Sequence, residues 1–83
     1  MSGKWMAQVW VKWNKEAPKG DWKWLGEWSE VKWAGSTMGD WDMELWIDVQ
    51  SPEQLEAFVH EKLWSKNWVV DTKSTWTKEV WAA

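Results

Sequence analysis

The residues able to do chemistry in this chain form a short list. His60, the only histidine, sits in AFVHEKL one place after the apolar Val59. It is the one side chain whose ordinary titration falls near neutral pH. No second catalytic group is evident beside it, so a surface or subunit-rim position is the expectation for His60. Asp40, Asp42, Glu44 and Asp48 form an acidic series that could attract a divalent cation. On a strand, however, Asp42, Glu44 and Asp48 project at wide spacing, unlike a compact oxygen cage, so a solvated acidic face is expected and no metal. Thr72, Ser74, Thr75 and Thr77 are hydroxyls without a visible base. No Gly-rich nucleotide loop and no nucleophile motif occurs, and no cofactor is expected.

The element that organises the rest is Ser36–Val49. Met43, Leu45, Ile47 and Val49 alternate with Asp42, Glu44, Trp46 and Asp48. Alternate strand residues point to opposite faces, so this is a strand with one apolar and one largely acidic face. Gly39-Asp40 ahead of it supplies turn chemistry, because Gly accepts positive φ and Asp can bond its own backbone. Ser51-Pro52-Glu53-Gln54 then opens a helix: Ser51 caps, Pro52 fits the first helical position and Gln54 completes a capping box. Leu55, Phe58, Val59 and Leu63 form its apolar stripe, and Lys66-Asn67 is the expected stop, with Asn67 in the left-handed cap.

On either side of this unit the same patterns recur. Lys4–Trp13 alternates, with Trp5, Ala7, Val9, Val11 and Trp13 on one face and Met6, Gln8, Trp10 and Lys12 on the other. Asn14–Gly20 breaks the pattern as a loop. Asp21–Trp28 is read as a short helix with Trp24, Leu25 and Trp28 on one side, although Gly26 costs about 1 kcal/mol in a helix interior. Ser29–Thr37 is a second strand in which Gly35 marks a bulge or a close backbone approach. Trp68–Trp81 is the last strand, β-branched and aromatic. The order β-α-β-β-α-β predicts an α+β, ferredoxin-like sheet with helices on one face. The opposite face carries Trp10 and Trp46, and two such sheets packed together would bury them, as in a dimeric α+β barrel. Trp76 is assigned to the same interface.

Composition bounds the role. The 83 residues make one domain, residues 1–83, with room for a modest core. There is no cysteine, hence no disulfide or Cys-based zinc site. No run of about 18 apolar residues and no signal-peptide pattern occurs, so a cytoplasmic protein is the expectation. Net charge is −3, and the ten basic residues form no cluster. Direct nucleic-acid binding and anionic membranes are therefore poor partners. Lys-Trp pairs at 12–13, 23–24 and 32–33 have the composition of a base-stacking platform, but the acidic total opposes that use. Thirteen Trp exceed what a core this small can hide, so several are expected at subunit contacts or lining a cavity.

Over roughly Val31–Val80, and loosely over the first strand, the chain resembles the effector-binding module of the Lrp/AsnC regulator family. Gly39, Trp41, Asp42 and Met43 occupy the places of that family's G-x-[YF]-D-L turn between the second and third strands. Val69-Val70-Asp71-Thr72-Lys73-Ser74 resembles its V-x-x-T-x-T segment, with Ser74 where Thr is usual. Trp68 replaces a common Gly, the first helix is about a turn short, and the match begins at the first strand, so the helix-turn-helix of full regulators is not expected. The resemblance implies a stand-alone, non-enzymatic module that dimerises through its sheets, assembles further, and holds an amino-acid-like small molecule between dimers. Matching positions are Gly39, Asp40 and Asp42 in the turn and Thr72 and Ser74 on the last strand. There Gly would let a ligand approach the backbone, Asp could pair an amine, and the hydroxyls could bond a carboxylate. The plain alternative is that Gly39-Asp40 only shapes a hairpin and Asp42 only bonds the turn. Two other readings stay open: a small dimeric α+β barrel enzyme with a Trp-lined cavity, and an engineered Trp-rich assembly protein.

Overall fold

Four strands form one antiparallel sheet: β1 (Trp5–Trp13), β2 (Val31–Ser36), β3 (Met43–Ile47) and β4 (Val69–Lys78). The computed structural model describes residues 5–18 and 20–83; Lys4, expected to open the first strand, and Lys19, in the expected loop, lie outside the described residues. The strand order is β2-β3-β1-β4, the ferredoxin-like arrangement in which the first and third strands are central. Register is set by β1, where Ala7 lies opposite both Ile47 and Trp76, Val9 opposite Leu45 and Ser74, and Val11 opposite Met43 and Thr72. Those β1 and β3 side chains, at most 5% exposed, form the sheet's share of the core.

The cover on that face comes from helix α1 (Pro52–Phe58) and the π-helical turn Val59–Leu63 that continues it. Ser51 caps as its type predicts, its hydroxyl accepting the Gln54 N–H at 3.2 Å. Gln54 reaches back to the Gln50 N–H at 2.8 Å, one residue earlier than the standard capping box. The buried helical residues are Leu55, Phe58, Val59 and Leu63, the stripe the sequence implies. In the wider turn the Trp64 N–H reaches the Val59 carbonyl five residues back. The chain then leaves through a turn in which the Lys66 N–H bonds the Leu63 carbonyl. Asn67 does not take the left-handed conformation expected of it: among the described residues only Gly20 and Gly39 have positive φ.

The first helix is reduced to one 3₁₀ turn, Lys23–Glu27. Its exposed Gly26 opposes a longer helix, while Leu25 and Trp28 are buried as the spacing predicts. Trp24, Trp28 and Phe58 meet edge to face, with centroids 5.1 and 5.6 Å apart, which ties this turn to α1. Gly35 marks a close approach. A Cβ there would lie 2.5 Å from the Trp33 ring, which lies across the glycine and packs on Trp46 at 5.1 Å.

One ion pair joins the residue that precedes β2 to the helical layer. Lys62 Nζ lies 2.7 and 3.0 Å from the two Glu30 carboxylate oxygens, and the Glu30 carbonyl accepts the Asp48 N–H at 2.7 Å. The Lys62 hydrogen bond holds the Glu30 carboxyl below its ordinary pKa, aided by a backbone hydrogen bond and against partial desolvation. A depressed folded-state value stabilises the protein above the unfolded carboxylate pKa, and that contribution fades as pH falls through the folded one. Both side chains are about a third exposed, so the pair is worth at most about 1 kcal/mol. In urea titrations, Glu30→Gln is expected to cost roughly that amount at neutral pH and nothing once acid has protonated Glu30 in the parent.

Candidate functional site

The turn between β2 and β3 is held by bonds at both ends. The Thr37 N–H donates to the Asp42 carbonyl at 3.2 Å, and the Thr37 hydroxyl donates to the Trp41 carbonyl. The Asp42 N–H donates to the Val11 carbonyl at 2.9 Å, and the Asp42 carboxylate accepts the Trp13 N–H at 3.0 Å. Trp13 turns this N–H to the β3 side of β1, level with the turn, because β3 begins only at Met43. At the tip, Gly39 has φ +105°, which only glycine adopts without strain, and Gly39 and Asp40 are exposed. The Lys12 ammonium lies 5.4 Å from the centre of the Trp41 ring.

Thr72 and Ser74 lie elsewhere. Each stands opposite a fully buried β1 valine, Val11 and Val9, so both are on the helix face of the edge strand β4. Thr72 is half-buried and Ser74 exposed, and β1 separates them from the turn. Within one chain, Gly39, Asp40 and Asp42 come together, while Thr72 and Ser74 form a second group.

The interface assignments divide as well. Trp10 lies opposite Glu44 and Lys73, and Trp46 opposite Gln8 and Trp33, all on the uncovered sheet face. There Glu44 accepts both the Trp46 indole N–H, at 3.0 Å, and the Gln8 amide, at 3.1 Å. The Lys73 ammonium sits 5.6 Å from the Trp10 ring centre. Trp76 is not on this face. It lies opposite Ala7, packs against the core and stacks on Trp5 at 5.5 Å, so its grouping with Trp10 and Trp46 is corrected. The cause is that Thr, Ser and Lys fill both faces of β4, leaving no apolar period to read.

Beside the turn the structure opens a cleft of about 140 Å³. Trp13, Trp22 and Leu25 form one wall, and Ala34, Gly35, Ser36 and Met43 the other. Trp13 and Trp22 stack at 5.1 Å to make an apolar side. None of these residues figured as a site residue in the sequence reading. Alternation places Trp13 and Met43 on the helix face, but the position of Trp22 depends on how the 3₁₀ turn folds back. His60 is exposed on the π-helical turn. Among the described residues no three His, Asp or Glu side chains converge to hold a metal ion.

The sheet order and the helical layer define a small ferredoxin-like α+β domain. The chain belongs to the Lrp/AsnC ligand binding domain family, whose model matches residues 6–80. TTHA0845 from Thermus thermophilus superposes with a TM-score of 0.80 at 16% identity, over 96% of this chain and 100% of that one. PHS023 from Pyrococcus horikoshii gives a TM-score of 0.73 at 18% identity, over 89% of each chain. The transcriptional regulator NMB0573 from Neisseria meningitidis, solved as a complex with L-Met, gives 0.76 at 23% identity, over 88% of this chain and 49% of the regulator. Identities this low speak for the fold alone. No curated protein sequence matches the chain.

The hydrogen bond from Trp13 separates two roles for Asp42. Asp42→Ala leaves a partly buried backbone N–H without its acceptor, an expected loss of roughly 1–3 kcal/mol in urea unfolding. Unchanged stability together with lost ligand response would instead assign Asp42 to binding.

Proposed function

We propose that this chain is a non-catalytic effector-binding module that assembles through its sheets into a homodimer, or a higher even-numbered oligomer, and binds an amino-acid-like small molecule. The observation that carries this reading is the family match over residues 6–80. The uncovered sheet face supports the assembly half. It presents Trp10, Trp33 and Trp46 around a hydrogen-bonded Gln8–Glu44 pair, and Trp33 and Trp46 are 47% and 39% exposed. Aromatic side chains around a satisfied polar group have the make-up of an interface core.

The ligand half rests on the turn and its cleft. Gly39 and Asp40 offer exposed backbone and a carboxylate for an ammonium group, and the neighbouring Trp13–Trp22 cleft offers apolar cover for a short side chain. Asp42 contributes by holding the turn to β1. Thr72 and Ser74 lie across β1, so a site using them with Gly39 and Asp40 takes the two sets from different subunits. That arrangement fits a ligand held between dimers. The regulator from Neisseria meningitidis was solved with L-Met, so L-methionine is the first probe, followed by other aliphatic amino acids.

Native mass spectrometry tests both halves. The expected result is an even-numbered assembly that gains mass with L-methionine or another aliphatic amino acid. Trp46→Asp is expected to shift the assembly toward monomer, because it replaces an indole by a second carboxylate beside Glu44 on the sheet face assigned to the partner. A parent protein that is monomeric at micromolar concentration removes the assembly reading, and a Trp46→Asp variant of unchanged mass places the interface elsewhere. Failure of all amino acids to add mass removes the ligand assignment but leaves the assembly intact.

A further inference from the structure

The uncovered sheet face carries one row of residues in which charge is ordered. Glu44 on β3, Trp10 on β1 and Lys73 on β4 lie side by side, because Trp10 stands opposite both of the others. Glu44 and Lys73 are thus two strand spacings apart, roughly 10 Å, with the Trp10 strand between them. They do not pair within the chain: among the described residues the only ion pair is Lys62–Glu30. The Lys73 ammonium lies by the Trp10 ring instead, 5.6 Å from its centre. Both bonds that Glu44 accepts, from Gln8 and Trp46, fall on Oε2, and among the described residues no donor reaches its other oxygen. Covering this face takes Glu44 and Lys73 out of water, and each then needs an opposite charge.

Granted the face-to-face homodimer proposed above, its symmetry decides which charges meet. A two-fold axis between packed sheets lies in their plane, and it makes every contact twice. If it ran across the strands at this row, Glu44 would face Glu44 and Lys73 would face Lys73, like charges in a desolvated layer. An axis running along β1 keeps the row at its level and reverses its left-to-right order. Glu44 of each copy then lies over Lys73 of the other, with Trp10 on Trp10 at the centre. Aligned sheets cross at about 30°, which displaces a position one strand from the axis by roughly 2–3 Å, and a lysine stem absorbs that. We infer that the assembled form is a homodimer with its two-fold axis along β1, keyed by two reciprocal bridges from Lys73 to the Glu44 carboxylate of the partner subunit. Gln8 and Trp46 hold that carboxylate in place to receive the ammonium. The tryptophans supply contact area, and the two bridges set which partner and which orientation are accepted.

The test mixes two single-substitution chains, Glu44→Lys and Lys73→Glu, one of them isotopically labelled so that native mass spectrometry separates the species. Each variant alone sets like charges against each other twice, and its homodimer should be at least about tenfold weaker than the parent's. Mixed, each chain offers the charge that the other now needs, so the heterodimer regains both bridges. It should make up about nine-tenths of the dimer, against about half for random pairing. The double variant Glu44→Lys/Lys73→Glu should form a homodimer unaided. A pair made within one chain would be restored by the double variant but not by mixing, so mixing reads the contact between subunits. Should a single variant lose the parent's near-UV circular dichroism, Glu44→Gln and Lys73→Met take their places and keep the side-chain shapes. Each should then weaken the homodimer severalfold, and the two together should cost less than their sum, whereas additive losses overturn the pairing. A dimeric parent whose charge-reversed chains dimerise as well as it does, or mix at random, overturns the pairing and leaves sheet-face assembly standing. A monomeric parent overturns both.

Discussion

Everything in this fold depends on the alternation of β1. Ala7, Val9 and Val11 are almost wholly buried, and each is paired on both sides, to β3 and to β4. A slip of one residue would turn all three to the other face and bring Gln8 and Trp10 under the helix. The register of β1 therefore decides which residues of its two neighbours face the core. It also decides which carry Trp46, Glu44 and Lys73 to the opposite side. The core this leaves is shallow, built largely from aliphatic side chains, with Leu45 and Leu63 the largest of those fully buried.

The tryptophans divide around that shallow core. Trp13, Trp22, Trp24, Trp28 and Trp68 form one continuous ring network on the helix side, reaching Phe58, and they seal the space that the short 3₁₀ turn leaves open. Trp33 and Trp46 form a separate pair on the far side of the sheet, with the Trp33 ring lying over Gly35. Pairs of this kind add about 0.5–1.5 kcal/mol each beyond area burial. The large side chains thus do in the loops what a longer first helix would otherwise do.

Much of this was legible in the residues. Period-two alternation located β1 and β3 with their faces, Ser51-Pro52 located the start of α1, and Gly39 located the turn, because each is a local signal with one dominant physical reading. The G-x-W-D-M turn and the segment around Thr72 were enough to point to the family. Illegible were features set by tertiary contacts. The face of Trp76 is fixed by its pairing with Ala7, since its own strand has no apolar period. The role of Asp42 depends on a contact with Trp13, 29 residues away in sequence, whose N–H lies level with the turn where β3 has not yet begun. The edge-to-face contact of Trp24 with Trp68 joins residues more than half the chain apart, and no spacing rule announces that.

The pairing of β1 with β4 has a consequence for how the molecule comes to be made. Trp5 lies opposite Lys78, so the central strand waits for nearly the last described residues before its second edge is satisfied. Ring closure over such a long segment costs entropy that is recovered only once the strands meet, which slows folding relative to helical proteins of this size. On a ribosome, the β2–β3 hairpin and α1 emerge first and can dock on one side of β1, leaving its other edge unpaired. Until β4 leaves the exit tunnel, that edge and the apolar row behind it are open to other chains, so the interval of greatest aggregation risk is the one between the emergence of α1 and that of β4.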